Sequence, residues 1–361
     1  MKDRFVVIMA GGVGSRFWPL SRHKLPKQFL DILGTGETLI QQTYKRFSKL
    51  CKKENIFVVT SHEHRSLVLS QLDIDDSRIL SEPFRRNTAP CVAYASYRIL
   101  SINPDAVIAV TPADHLIEKQ DVFEAVIGEG YRFAGSNDAL LTIGIKPHRP
   151  ETGYGYIQSN EKKPVKGFKG LMPVKTFTEK PDIDLAKVFI ESGDFYWNSG
   201  IFIWSVKSII DAFGSHMPDL FAAFDEGRDL FGTAGETAFI ARTYTECSSI
   251  SIDYGVMEKA SNVYVICTDM GWSDLGTWSS LGEHTPTDED GCSVISGKTF
   301  RYGTKDNIVN IPGSKVAVIQ GLEGYIVVDS GDVLLIVPRD SEQSIKQYLD
   351  DVKRDAGDKY L

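Results

Sequence analysis

Phe5-Val6-Val7-Ile8-Met9-Ala10-Gly11-Gly12-Val13-Gly14-Ser15-Arg16 joins an unbroken apolar run to a glycine-rich turn that ends on a cation. A run of this kind reads as a strand covered on both faces, because a strand with one wet face alternates apolar and polar residues. The turn after it has a different use. Glycines let the backbone bend sharply and approach a ligand, and successive N–H groups can form a nest for an anion. Arg16 adds a fixed positive charge. Two common nucleotide motifs do not fit. G-x-x-x-x-G-K-[ST] needs a lysine after its last glycine, where Ser15 follows Gly14, and G-x-G-x-x-G needs a third glycine where Phe17 stands. Taken alone, the stretch could equally be a glycine turn that holds nothing.

The pattern repeats outward through the first 145 residues. Short β-rich runs occur at 56–60 (IFVVT), 78–81 (RILS), 106–111 (AVIAVT) and 140–144 (LLTIG), with helices expected near 38–50, 62–72, 89–100 and 121–135. Strands alternating with helices build βαβ units and a mostly parallel sheet. Ligands of such sheets sit beyond the carboxyl ends of the strands, which singles out residues 10–16, 82–88 and 112–115. Residues 146–285 are less regular and rich in Gly, Pro and aromatics, as suits a substrate-binding lobe that completes a 1–285 body begun by the 1–145 half. From 290 to 340 the runs SVISG, NIVNI, KVAVIQ, YIVVDS and VLLIVP crowd together, which predicts a small all-β module, and 341–361 reads as a charged terminal helix and tail.

Composition narrows the function. The 361 residues carry 40 Lys and Arg against 48 Asp and Glu, a formal charge of −8. A chain of that sign is not built to coat nucleic acid, so an anion must meet a local cluster of cations and N–H groups. The five cysteines (Cys51, Cys91, Cys247, Cys267 and Cys292) are odd in number and widely spaced, with no C-x-x-C. They read as reduced thiols of a cytoplasmic protein, not as a disulfide frame or a zinc site. No apolar run approaches the ~18 residues of a membrane span, so no membrane partner is expected.

One cation cluster is present. Arg16, Arg22, Lys24 and Lys27 fall directly after the glycine turn, and Lys27, a compact charge on a flexible stem, suits phosphates held by that turn. A solvated basic face would not explain why the cluster ends a buried strand. The string MAGGVGSRFWPLSRHKLPKQF at 9–29 resembles the signature of the nucleoside-diphosphate-sugar pyrophosphorylases, with Ser15 where Thr is usual. Seven more motifs follow in family order: EPFRRNTAP at 82–90, PADH at 112–115, PETGYGYI at 150–157, FTEKP at 177–181, WNSGIF at 197–202, SIDYGVMEK at 251–259 and GWSDLG at 271–276. The resemblance covers about 4–285 strongly and the β-rich tail weakly.

The resemblance implies an α/β fold: a Rossmann-like, mixed, mostly parallel sheet of the nucleotide-diphospho-sugar transferase type, with a left-handed β-helix-like module in the tail. It also implies a magnesium enzyme in which a sugar 1-phosphate oxygen attacks the α-phosphorus of a nucleoside triphosphate in line and pyrophosphate leaves. A phosphate monoester with a second pKa near ~6 is already mostly ionised at neutral pH, so no general base or covalent nucleophile is required. The chemistry instead needs positioning and neutralisation of charge. By resemblance, Ala10, Gly11, Gly12, Gly14, Ser15, Arg16 and Lys27 hold the triphosphate, and Glu82, Asn87 and Thr88 meet base and ribose. Asp114 and Asp274 hold Mg2+, an ion that takes one or two carboxylates plus phosphate oxygens and water, and Arg16, Lys27, Asp114 and Asp274 form the catalytic set. Each aspartate alone could be a turn or cap residue, and Asn87 or Thr88 could cap the helix before Ala89-Pro90. Gly153, Tyr154, Glu179, Lys180, Asn198, Gly200 and Asp253 resemble the sugar-phosphate site, with Glu179 on hydroxyls and Lys180 on phosphate. The WNSGIF and PETGYGYI forms lean towards mannose 1-phosphate, the resemblance implies GTP, and an acceptor such as Glu82 or a backbone carbonyl would suit the donor edge of guanine. Another hexose 1-phosphate, a uridylyl donor, or a non-catalytic nucleotide-sugar sensor stay open, and relatives imply a homodimer.

Overall fold

Val6, Val7 and Ile8 are wholly buried in the strand Arg4–Met9, as the unbroken apolar run requires. The computed structural model describes residues 3–361. In it, Arg4–Met9 pairs in parallel with Ile56–Ser61 on one side and Val107–Pro112 on the other, so that Val6 lies opposite both Ile56 and Ala109. Among the described residues nine strands make one sheet, in the order Ile79–Glu82, Ile56–Ser61, Arg4–Met9, Val107–Pro112, Phe195–Ser205, Leu140–Ile145, Val263–Thr268, Leu171–Glu179 and Gly155–Ser159. The first four are parallel, as is the pair Leu140–Ile145 with Val263–Thr268. Phe195–Ser205 runs antiparallel to both of its long neighbours, and Leu171–Glu179 and Gly155–Ser159 add further antiparallel pairs. The mixed character thus comes from the 146–285 stretch, where no strand–helix alternation is legible.

Helices Thr88–Leu100 and Gln120–Ala134 lie within a residue or two of their expected places. Phe57, Val59, Val92, Ile108, Phe202, Trp204 and Phe213 belong to one buried cluster. At about 1.5–3 kcal/mol for each large apolar side chain removed from water, that cluster fixes which face of each strand turns inward. Among the described residues no helix is long and apolar enough to cross a membrane.

Contacts divide the chain into two units that cut across the consecutive segments read from the sequence. One unit holds the residues up to Gly11, Tyr44–Ala113 and Ile117–Trp272, and with them the whole nine-stranded sheet. The other holds Gly12–Thr43, Asp114–Leu116 and Ser273–Leu361. The physical reason lies in the second core. Phe17, Trp18 and Ile32, from the stretch after the glycine turn, are buried together with Leu275, Trp278, Ile308, Ile326, Val328, Leu335, Val337 and Ile345. Apolar residues at 17–32 need cover, and the β-rich tail supplies it.

That tail stacks in parallel. Ser293–Ser296 pairs with Ile308–Asn310, which pairs with Tyr325–Asp329, and Leu334–Pro338 closes the row antiparallel. A second face is made by Lys298–Tyr302 parallel to Val316–Gln320. The terminal helix spans Ile345–Ala356.

Candidate active site

The glycine turn is built to present N–H groups. Gly14 stands at φ 72°, ψ 43°, in the left-handed region, and a Cβ there would lie 2.5 Å from the Lys27 Cβ. Only glycine meets both conditions without strain. The carbonyls of the turn are used within the chain: Gln28 Nε2 donates to the Gly12 carbonyl at 2.9 Å, and Lys27 N and the Ser21 hydroxyl donate to that of Val13. The backbone N–H groups from Gly12 to Arg16, by contrast, find no acceptor among the described residues. Ala10 does not share in this nest, because its N–H donates to the Val59 carbonyl at 2.8 Å.

Lys27, Asp114 and Asp274 meet beside the turn. The buried Lys27 ammonium lies 2.8 Å from Asp114 Oδ2 and donates to the Asp274 carbonyl at 2.7 Å. An ammonium has three N–H groups, so one stays available to a phosphate oxygen. Burial would raise the Asp114 carboxyl, but the Lys27 ammonium and His115 outweigh it and hold it below the usual carboxylate range. Asp274 Oδ1 accepts from Gly276 N at 2.9 Å, and a Cβ at Gly276 would stand 2.4 Å from Asp274 Oδ2. Gly276 therefore leaves room for that carboxylate. Gly14, Ser15, Arg16, Phe17, Lys27, Asp114, His115, Asp274, Gly276 and Lys346 line one cavity of about 270 Å³. The Asp114 and Asp274 carboxylates that line this cavity are hard oxygen donors, and no group of three or more His, Cys, Asp or Glu that could hold a metal occurs among the described residues. Such a set fits a divalent cation that draws its remaining ligands from phosphate and water. Lys346 carries no signal in the linear sequence, since it lies in a charged helix, while Gly276 closes the GWSDLG motif that also holds Asp274.

Glu82 ends its strand almost fully buried. Its Oε1 accepts from the Tyr244 hydroxyl at 3.0 Å, and its Oε2 would stand 3.4 Å from a Cβ at Gly11. Burial pushes its carboxyl up to about 7, against the opposing effects of Tyr244 and Arg85. Asn87 and Thr88 are otherwise employed. Asn87 Oδ1 accepts from Thr88 N at 2.9 Å, as a cap, and Thr88 Oγ1 accepts from Ile252 N at 2.9 Å. The capping alternative left open by the sequence describes Asn87, whereas Thr88 opens the helix and ties it to Ile252.

The residues expected at a sugar phosphate form a second constellation. Asn198 Nδ2 donates to Asp253 Oδ1 at 2.8 Å, while Asn198 Oδ1 accepts from the Thr142 hydroxyl at 2.9 Å and from Gly200 N at 3.3 Å. Lys180 Nζ donates to Glu179 Oε1 at 2.7 Å, and Lys180 N to the Tyr154 carbonyl at 3.2 Å. Burial and the Glu179 carboxylate push Asp253 up to about 7. The Tyr154 ring meets Trp197 and Trp272 edge-on, at 5.2 and 5.3 Å between centroids. Gly153 stands apart, its N–H bonded to Glu151 at 3.0 Å.

The chain matches the family model described as nucleotidyl transferase over residues 5–291. It is similar, at 36% identity over 358 residues, to a mannose-1-phosphate guanylyltransferase of Klebsiella pneumoniae, covering 98% of this chain and 75% of that one. It is also 36% identical over 350 residues to the alginate biosynthesis protein AlgA of Pseudomonas aeruginosa, covering 96% of this chain and 71% of that one. A crystal structure described as mannose-1-phosphate geranyltransferase, from Thermus thermophilus, superposes with a TM-score of 0.85 at 29% identity, over 97% of this chain and 99% of that one. A likeness of this extent, reaching through the β-rich tail as well as the sheet, places the chain in the nucleotidyl transferase family as an enzyme of the mannose-1-phosphate guanylyltransferase group.

Proposed function

We propose that this protein transfers GMP from GTP to α-D-mannose 1-phosphate in the cytoplasm, giving GDP-mannose and pyrophosphate. The observation that carries this reading is the meeting of Lys27, Asp114 and Asp274 beside a turn whose N–H groups are free to bind phosphate. The names of the similar proteins support the choice of sugar and base.

The ionised sugar phosphate attacks the α-phosphorus directly, and no side chain is asked to form a covalent bond. The residues' task is to align two anions and neutralise them as charge shifts to the leaving group. The Gly12–Arg16 N–H groups and Arg16 hold the triphosphate, and Lys27 places its remaining N–H beside the α-phosphate. Asp114 and Asp274 would hold Mg2+, which when bound supplies charge neutralisation at the phosphate oxygens. Glu82, deprotonated, accepts from the ring N–H and amino group of guanine. Asn198, Glu179 and Asp253 orient the sugar hydroxyls, and Lys180 faces the sugar phosphate.

Coupled detection of pyrophosphate, with each of the four triphosphates against mannose, glucose and galactose 1-phosphates, tests the assignment. GTP with mannose 1-phosphate is expected to give the highest kcat/KM. A higher value for another pair would overturn the named substrates and leave the family intact.

A further inference from the structure

Lys346, the second residue of the helix Ile345–Ala356, stands in the wall of the cavity that Gly14, Ser15 and Arg16 also line. Among the described residues neither cation there has a carboxylate partner. The Arg16 side chain bonds only the neutral amide of Gln343, through Nε at 3.1 Å, and the Lys346 ammonium makes no hydrogen bond or ion pair within that set. Their mutual repulsion shows in the lysine, which Arg16, and burial after it, hold below its ordinary value. Like charges kept this close cost free energy that an anion between them would offset. The helix and the segments on either side of it are tied to the stretch that follows the turn. Ile345 is buried with Phe17 and Trp18, Trp18 Nε1 donates to the Tyr360 carbonyl at 2.7 Å, and Arg22 pairs with Asp332 at 2.8 Å.

We propose that Lys346 is a phosphate-binding residue that shares with Arg16 the pyrophosphate end of the nucleoside triphosphate, so that the terminal helix completes the site. This rests on the nucleotidyl-transfer reading above. Charge decides which phosphates each cation serves. Lys27 is already partly neutralised by Asp114 and suits the α-phosphate, where the bond changes occur. Arg16 and Lys346 carry unshared charge and suit the more highly charged leaving group. The same pair would then receive inorganic pyrophosphate in the reverse reaction.

The test is calorimetric titration of magnesium pyrophosphate into wild type, Lys346→Ala and Lys346→Arg, with pyrophosphorolysis of GDP-mannose measured in parallel. Lys346→Ala is expected to weaken pyrophosphate binding about tenfold or more, as loss of a charge-assisted bond does. It should raise the KM for pyrophosphate by a similar factor and leave the KM for GDP-mannose within about twofold, with Lys346→Arg recovering most of the loss. The thermal midpoint of Lys346→Ala should not fall, because Lys346 is exposed and its removal relieves the repulsion from Arg16. Unchanged pyrophosphate binding in Lys346→Ala, or an equal rise in both KM values, would overturn the proposal. The titration needs no turnover. A wild type that binds pyrophosphate through Lys346 but catalyses nothing would defeat the transferase reading and still support the lysine's role.

Discussion

Glu82 is a residue whose surroundings change its ordinary chemistry. Its carboxyl is moved from 4.5 to about 7 by burial, so near neutrality it is only partly charged before a base arrives. The sign of the consequence follows. A raised folded-state value contributes stability that is complete below about 4.5 and is lost as pH rises through about 7. Glu82→Gln should therefore match wild type in urea unfolding near pH 4.5 and exceed it at pH 8, by on the order of 2–3 kcal/mol. A constant difference across that range would mean that Glu82 does not titrate there. In the proposed contact with guanine, a donor at its ring N–H and amino group, Glu82 acts in its charged form, so the KM for GTP should fall between pH 6 and 8 in wild type and lose that trend in Glu82→Gln. At this scale the sequence reveals Lys27, Asp114 and Asp274, because each lies inside a short motif with a nameable role. Tyr244 and Lys346 are hidden, since their partners stand 162 residues away at Glu82 and across most of the chain at Arg16.

Among the elements, the turn after Arg4–Met9 carries the heaviest constraint. Gly14→Ala would force an L side chain to a φ of 72° and drive its methyl against Lys27. The left-handed conformation alone costs about 1–2 kcal/mol, and relief by moving Lys27 would spoil its contacts with Asp114 and Asp274. Both unfolding and kinetics should register the change: a stability loss of roughly 2 kcal/mol and a fall in kcat/KM for GTP of about tenfold or more. A stable variant with ordinary kinetics would show that the turn does not position Lys27. The strands at the start of the chain are legible because each is an apolar run closed by polar residues. Lys298–Tyr302 is not, since its KTFRY alternates half-covered and exposed side chains with two charges and no apolar run. Phe195–Ser205 is a mixed case: it is one strand, but within WNSGIF its ladder with Leu140–Ile145 shifts register between Asn198 and Phe202, and Gly200 stands there at a φ of 70°.

For the molecule as a whole, a division into consecutive segments is what a linear reading can offer, and the contacts cut across it. Phe17 and Trp18 lie in one core with Val337 and Ile345 because a short apolar stretch after a glycine turn cannot cover itself. That arrangement bears on what a metal ion does for this protein. Asp114 is already paired with a buried ammonium at 2.8 Å, and Asp274 is already anchored through Gly276 at 2.9 Å. Neither therefore needs a cation in order to fold. In structural zinc sites the metal's binding energy is folding energy, and chelators unfold the protein; here the side chains are satisfied beforehand. Chelation should consequently abolish nucleotidyl transfer while shifting the thermal midpoint by no more than ~2 °C, the shift that a few tenths of a kcal/mol produces in a chain of this size. Adding Mg2+ should restore the rate without a refolding lag. If chelation instead melted the chain, the pairing of Lys27 with Asp114 would not be what holds the site together, and the cation would be a structural element of the second core.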